Sequence, residues 1–225
     1  MIDLYCERTA AGLWNEPLNL VSNLAFVIAA LLALRVYRRQ PDLLPRASWD
    51  LLLLIGLLCA IGIGSGLFHA LANHWSLLAD VIPIALFINL YLISLLYRAV
   101  SAPVWAIVLL LVLYQVIGVG AGALLPADAL NGSAGYLPPA LAMLIAWSWL
   151  NGRQHPLEPF LLGALLVFIL SLTLRTLDSA LCAQLPMGTH VFWHLLNASV
   201  LYLLVVGLIR HGRRRRSTLA DSSTS

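Results

Sequence analysis

Two histidines four residues apart, His190 and His194, open a long apolar run near the C-terminus (Thr189-His190-Val191-Phe192-Trp193-His194). A spacing of four puts both imidazoles on one face of a helix. Ionisable side chains are costly inside a bilayer, so they face the protein interior and mark functional sites by default. A third imidazole, His69, ends another apolar run. Three neutral imidazoles plus one open position form the pattern of a catalytic zinc site. Zinc lowers the pKa of its bound water to about 7 and polarises a carbonyl. Ser65 lies one helical turn before His69, on the same face, where its hydroxyl could donate to a developing oxyanion. Asp80, eleven residues after His69, could take a proton from the activated water and pass it to a leaving amine. Its other reading is support of a ligand histidine N–H.

These residues need elements to bring them together, and the composition says which. The chain has 225 residues, 61% hydrophobic and 10% charged, with mean hydropathy +0.90. That is an integral membrane protein, all-α, with room for one helical bundle and no sizeable soluble domain. Apolar stretches predict spans over about 17–37, 49–72, 76–97, 103–125, 136–150, 157–177 and 187–210. The Asn73-His74-Trp75 stretch reads as a tight turn, and 126–135 as a Gly/Asn/Asp/Ser loop. Residues 1–210 thus form one seven-span domain with an acidic head over 1–16. Residues 211–225 form a basic tail, expected to be disordered and cytoplasmic. Arg35, Arg38, Arg39, Arg46, Arg98, Arg153 and the Arg210–Arg216 cluster share one side of this topology, which is therefore cytoplasmic, with the N-terminus outside. The net charge of +3 sits mostly in Arg213–Arg216, an anchor rather than a nucleic-acid arm. Short loops and compact length suggest a bacterial inner membrane.

The topology was built without the polar residues, yet it puts His69, Asp80, His190, His194 and Ser22 at one depth near the outer surface. Asn19, Ser22 and Asn23 share a face of span one and either brace the site or bind helices together. Gly62, Gly64, Ser65 and Gly66 could equally form a close helix-packing face. Asn197, three residues after His194, is a further supporting candidate. Arg175 is the one arginine near the outer end, with Asp178 three residues on as its expected partner. Trp75 and Trp193 read as interfacial aromatics. Cys6, Cys59 and Cys182 are odd in number and scattered, and suggest no disulfide framework.

Taken together, Ser65-x3-His69, Asp80, and His190-x3-His194 on the last span resemble the alkaline ceramidase family, seven-span zinc-dependent membrane hydrolases related to the adiponectin receptors. Tyr5-Cys6-Glu7 and Glu16-Pro-Leu-Asn19-Leu-Val-Ser22-Asn23 extend the likeness, while spans four to six carry no matching motif. The resemblance implies hydrolysis of ceramide-like N-acyl lipids to a sphingoid base and a fatty acid. It implies His69, His190 and His194 as zinc ligands, with Ser65 and Asp80 beside the metal. It also implies a calcium site at the acidic head, where Asp3, Glu7 and Glu16 fall near the family's positions and carboxylate oxygens suit calcium. The segment between Glu7 and Glu16 is short, and Thr9 stands where the family pattern leads one to look for Asn. A solvated acidic head is the alternative there.

Other function classes fare differently. A heptahelical receptor or sensor with a structural metal shares the architecture, but no cytoplasmic signalling domain is visible. A retinal protein needs a lysine, and the chain contains none. A rhomboid-type protease needs Gly-x-Ser-Gly, and position 63 is Ile. Transporter-like repeats and broken midplane helices are absent from the pattern. The expected partners are the bilayer and a lipid substrate, with no nucleic acid.

Overall fold

In lipid, backbone N–H and C=O groups find no water, so an apolar chain satisfies them internally as helices. The computed structural model of the chain describes residues 2–10, 12–41, 43, 48–126 and 128–212. These residues form eight α-helices and no strand. They are α1 (Pro17–Ser22), α2 (Leu24–Arg38), α3 (Trp49–Leu71), α4 (His74–Leu95), α5 (Val104–Leu124), α6 (Leu137–Asn151), α7 (Glu158–Leu181) and α8 (His190–His211). α1 runs into α2 at Asn23, and the pair makes one continuous rod. Six of the seven rods are long and apolar enough to cross a membrane. The exception is α6, with 15 residues. At 1.5 Å per residue it reaches about 22 Å, short of the roughly 30 Å hydrocarbon core. The expected seven spans are thus seven rods, six of full membrane length. Arg46 and Arg213–Arg216, part of the arginine count above, lie outside the described residues, as does most of the expected tail.

The rods form a ring in chain order, each helix packing on the next, and α8 closes it against α1, α2 and α3. α8 is the most enclosed, burying Val205, Leu208 and Ile209 with His190 and His194, whereas α5 buries only Ile107. Leu51, Leu54, Leu58 and Ile61 of α3, Phe87 of α4 and Leu161 of α7 complete the core.

The α3–α4 hairpin is the tightest joint. Ala72 takes a left-handed conformation (φ 44°) and returns its N–H to the Phe68 carbonyl. Asn73 then caps α4 reciprocally with Ser76, each accepting from the other's backbone N–H at 3.1 Å. His74 and Trp75 therefore belong to the first turn of α4 and not to a turn between spans. Along the hairpin, a Cβ on Gly64 would stand 1.9 Å from the Ala79 carbonyl oxygen, so only glycine allows this approach. The small-residue face around Ser65 is a packing face, and it also brings Ser65 against α4.

Two buried polar systems tie the ends of the bundle. At one end a π-helical turn, Leu96–Val100, carries Arg98 onto Asp50 of α3, to which it donates through two nitrogens while Ser94 adds a third bond. At the other end Asp178 of α7 accepts from the backbone N–H groups of Thr189 (2.6 Å), His190 (2.9 Å) and Cys6 (3.0 Å). A carboxylate at this helix start suits the dipole of α8. Gly188 makes room for it, since a Cβ there would lie 2.3 Å from the Asp178 Oδ1. The expected Arg175–Asp178 pair is not formed. Backbone N–H groups that need a cap occupy Asp178, while Arg175 donates to the Asn131 carbonyl (2.9 Å) and the Ser133 hydroxyl (2.8 Å). Cys6 and Cys182 form a disulfide, contrary to the expectation of none. They are 176 positions apart in the chain and the link closes over the whole bundle, a proximity that spacing along the chain cannot reveal.

Candidate metal centre

His69, His190 and His194 are each about 1% exposed, inside the membrane-length part of the bundle. One ring nitrogen from each lies within 4.8 Å of the others, and the Nε2 atoms of His69 and His194 are 3.1 Å apart. Nitrogens each about 2.0–2.1 Å from one tetrahedral ion would sit roughly 3.3 Å from one another. The three imidazoles could therefore hold one metal ion with little adjustment.

The backs of the rings explain their aim. His69 Nδ1 meets Glu16 Oε2 at 2.5 Å, and His194 Nδ1 meets the Ser22 hydroxyl at 2.7 Å. Each contact settles the outer nitrogen and leaves Nε2 facing inward. His190 differs. Its ring stacks on Tyr5 with centroids 3.5 Å apart, and its Nδ1 is buried without a partner. A buried ring nitrogen left without a hydrogen bond is costly unless something else binds it, and a shared metal ion would. A donor set of three imidazoles suits a first-row ion such as zinc, copper, iron or nickel.

The other expected residues are distributed around this centre. Ser65 of α3 is buried and Asp80 of α4 is half-buried, and they flank the close contact in which Gly64 meets the Ala79–Asp80 backbone. Asn19 donates to Glu16 Oε2 at 3.1 Å, and Asn23 donates back to the Asn19 carbonyl at 2.8 Å. Both amide oxygens are buried without a protein partner. Asn197 binds Ser171 and the Trp193 carbonyl, fastening α8 to α7. Trp193 is buried against Tyr136 and Phe168 and is no interfacial aromatic.

Asp3, Glu7 and Glu16 do not converge. Asp3 is exposed. Glu7 accepts from the Leu18 and Asn19 backbone N–H groups at 2.7 and 2.8 Å, capping α1. Glu16 accepts from Arg8, His69 and Asn19. Burial pushes the Glu16 carboxyl up, but the bond and charge of His69, with the Asn19 and Arg8 bonds, more than offset this and hold it below the ordinary carboxylate range.

Arg8 and the disulfide escaped the sequence reading. Arg8 was legible only as a single cation inside an acidic head. Its guanidinium is buried, donating to Glu16 and, at 2.7 Å, to the His69 carbonyl.

Beneath the histidines an apolar cavity opens among α3, α4, α6, α7 and α8. Phe26, Tyr136 and Trp193 form its upper end, and Tyr91, Leu95 and Leu204 its far end. Two lining residues touch the trio, Phe26 edge-on to the His194 ring at 6.3 Å and Trp193 stacked 6.5 Å from the His190 ring, so the cavity lies beside the histidines.

Membrane-length helices around a buried trio of converging imidazoles define a multi-pass membrane protein with a centre able to hold a metal. The family then follows from the whole sequence: a model of the Ceramidase family matches residues 5–220, and the chain belongs to that family. Membership implies an amide hydrolase. A search among curated proteins found no match to the chain.

Proposed function

We propose that this protein is a zinc-dependent hydrolase that cleaves the amide bond of ceramide-like N-acyl lipids, yielding a sphingoid base and a fatty acid. The observation that carries this reading is the buried His69–His190–His194 trio beside an apolar cavity, in a chain of the Ceramidase family. A zinc ion at this trio would supply a Lewis acid and an activated water.

The protein's own residues do the rest. Glu16 and Ser22 hold the His69 and His194 rings, so their inner nitrogens are presented together. Asp80 accepts the proton released by the attacking water and returns it to the departing amine. Ser65, on the α3 face that packs against the Ala79–Asp80 backbone, stands beside Asp80 to hold it in place. The cavity takes an acyl or sphingoid chain, since its lining is almost wholly apolar with Asn197 and Tyr136 near the head. A second, more polar hollow beside Asn89, Tyr114 and Gln115 shares Ile84, Ile88, Tyr136 and Pro139 with the cavity. It marks the lateral route by which a lipid reaches the site from the bilayer. The site lies on the outer side of the membrane, and the disulfide beside it suits an oxidising compartment.

Purified protein in nanodiscs, assayed for fatty-acid release from ceramide alongside metal analysis, tests the reading. We expect one zinc per chain, turnover lost on chelation and regained with zinc, and none in His194→Ala. Bound metal without turnover on any lipid amide or ester would instead favour a heptahelical sensor.

A further inference from the structure

The acidic head is where this chain departs from the calcium site that its resemblance implies. We infer that Arg8 is a built-in cation standing where a calcium ion would otherwise neutralise Glu16, and that through Glu16 it positions the ligand histidine His69. The inference rests on the zinc-hydrolase reading for its functional half only; the calcium half stands on geometry.

Calcium takes six to eight oxygens at about 2.3–2.6 Å. Here the carboxylate oxygens of Glu7 and Glu16 point at N–H donors. Glu7 spends both on the backbone of Leu18 and Asn19, and Glu16 spends both on Arg8, His69 and Asn19. Those donors would repel a cation at the same oxygens. Asp3 is exposed, so no buried carboxylate oxygen of the three acids is left free; a cation there would have only the amide oxygens of Asn19 and Asn23 with backbone carbonyls and water, all uncharged.

The guanidinium does what a bound ion would do. Arg8 is 4% exposed and Glu16 2% exposed, and neither charge is tolerable there without the other. Arg8 Nε meets Glu16 Oε1, while a terminal nitrogen meets the His69 carbonyl at 2.7 Å. One planar group thus grips the carboxylate that orients the His69 ring and the backbone that carries it. The arrangement needs a fork of donors in one plane, which lysine lacks. The consequence reaches the metal: with Glu16 Oε1 held, Oε2 stays on His69 Nδ1 and the inner nitrogen stays aimed. Arg8 is a positioning residue, one step behind Glu16.

The test uses the full-length, zinc-loaded protein, dialysed into calcium-free buffer with its zinc content verified. Calcium is titrated by calorimetry and by thermal unfolding. We expect no calcium binding, no shift in melting temperature and no change in turnover; stoichiometric binding or a stabilising shift overturns the inference. In parallel, zinc affinity is measured by competition with a chromophoric chelator. Loss of an outer partner of a ligand histidine costs about 10–100-fold, and we expect a loss of that size in Arg8→Gln, with Arg8→Lys recovering only part. Arg8→Gln can fail to fold because it strands Glu16, so Arg8→Gln/Glu16→Gln, which removes both charges, is measured too. Glu16→Gln alone is measured beside it: if Arg8 acts through Glu16, the double variant binds zinc no more weakly than Glu16→Gln, and both bind it more weakly than wild type. Losses that add, or wild-type zinc affinity in the double variant, overturn positioning. If wild-type protein binds no zinc at all, the proposed function fails, while the calcium titration still reads the cation claim.

Discussion

Ser22 and His194 stand 172 residues apart in the chain, yet the serine hydroxyl meets the imidazole Nδ1 at 2.7 Å. The contact joins the first rod of the bundle to the last, exactly one ring atom behind the proposed ligand nitrogen. Ser22 also donates within its own helix geometry to the Asn19 carbonyl at 2.9 Å, so a single hydroxyl bridges the two partners. We expect Ser22→Ala to fold normally and to bind zinc about 10–100-fold more weakly, the usual effect of removing an outer partner. Competition with a chromophoric chelator measures this. Unchanged zinc affinity would show that Ser22 merely fastens helices.

Asp80 and Ser65 act as a pair in the proposed mechanism. Asp80→Asn keeps the shape but cannot accept the proton, and we expect turnover on ceramide to fall at least about 100-fold, the scale of general acid–base catalysis. Zinc content should stay at one per chain. Loss of the metal in this variant would move Asp80 from proton transfer to metal support.

The Cys6–Cys182 disulfide pins the N-terminal segment, with Tyr5 and Arg8, beside the site. Removing a native disulfide from a small domain costs about 2–5 kcal/mol. Reduction, or the double change Cys6→Ser/Cys182→Ser, should lower the melting temperature by several degrees and reduce turnover as Tyr5 leaves the His190 ring. Equal melting curves with and without reductant would contradict this.

At the opposite end, Asp50 and Arg98 form a buried ion pair far from the chemistry. Breaking such a pair by removing one partner costs about 3–5 kcal/mol, whereas replacing both with apolar side chains is often neutral. Arg98→Met should therefore melt well below wild type. Asp50→Leu/Arg98→Met should recover most of that loss and keep its turnover per folded molecule. Thermal unfolding in detergent, followed by an activity assay, distinguishes the three proteins.

Gly64 permits the approach of α3 to α4 that brings Ser65 towards Asp80. Gly64→Val should force the helices apart and abolish turnover even in protein that still folds. Retained activity would mean that the hairpin adjusts more freely than backbone contact at Gly64 allows.

The linear sequence alone determined the helices and most of the centre. Bilayer physics permits few structures, so apolar runs bounded by Pro, Gly and Arg located the rods within a few residues. The same constraint made buried histidines conspicuous, and His69, His190 and His194 could be picked out because lipid does not tolerate them idly. Tertiary structure alone decided which side chain meets which. Arg175 and Asp178 are one turn apart on a helix and of opposite charge, but the buried backbone N–H groups at the start of α8 claim Asp178. Glu16 is one of three acids in the head, and only the fold gives it Arg8 on one oxygen and His69 on the other. Helix periodicity is a local property and survives in the sequence. Partnership across 53 or 176 residues is set by packing, where competing donors and acceptors are settled only after the rods have come together.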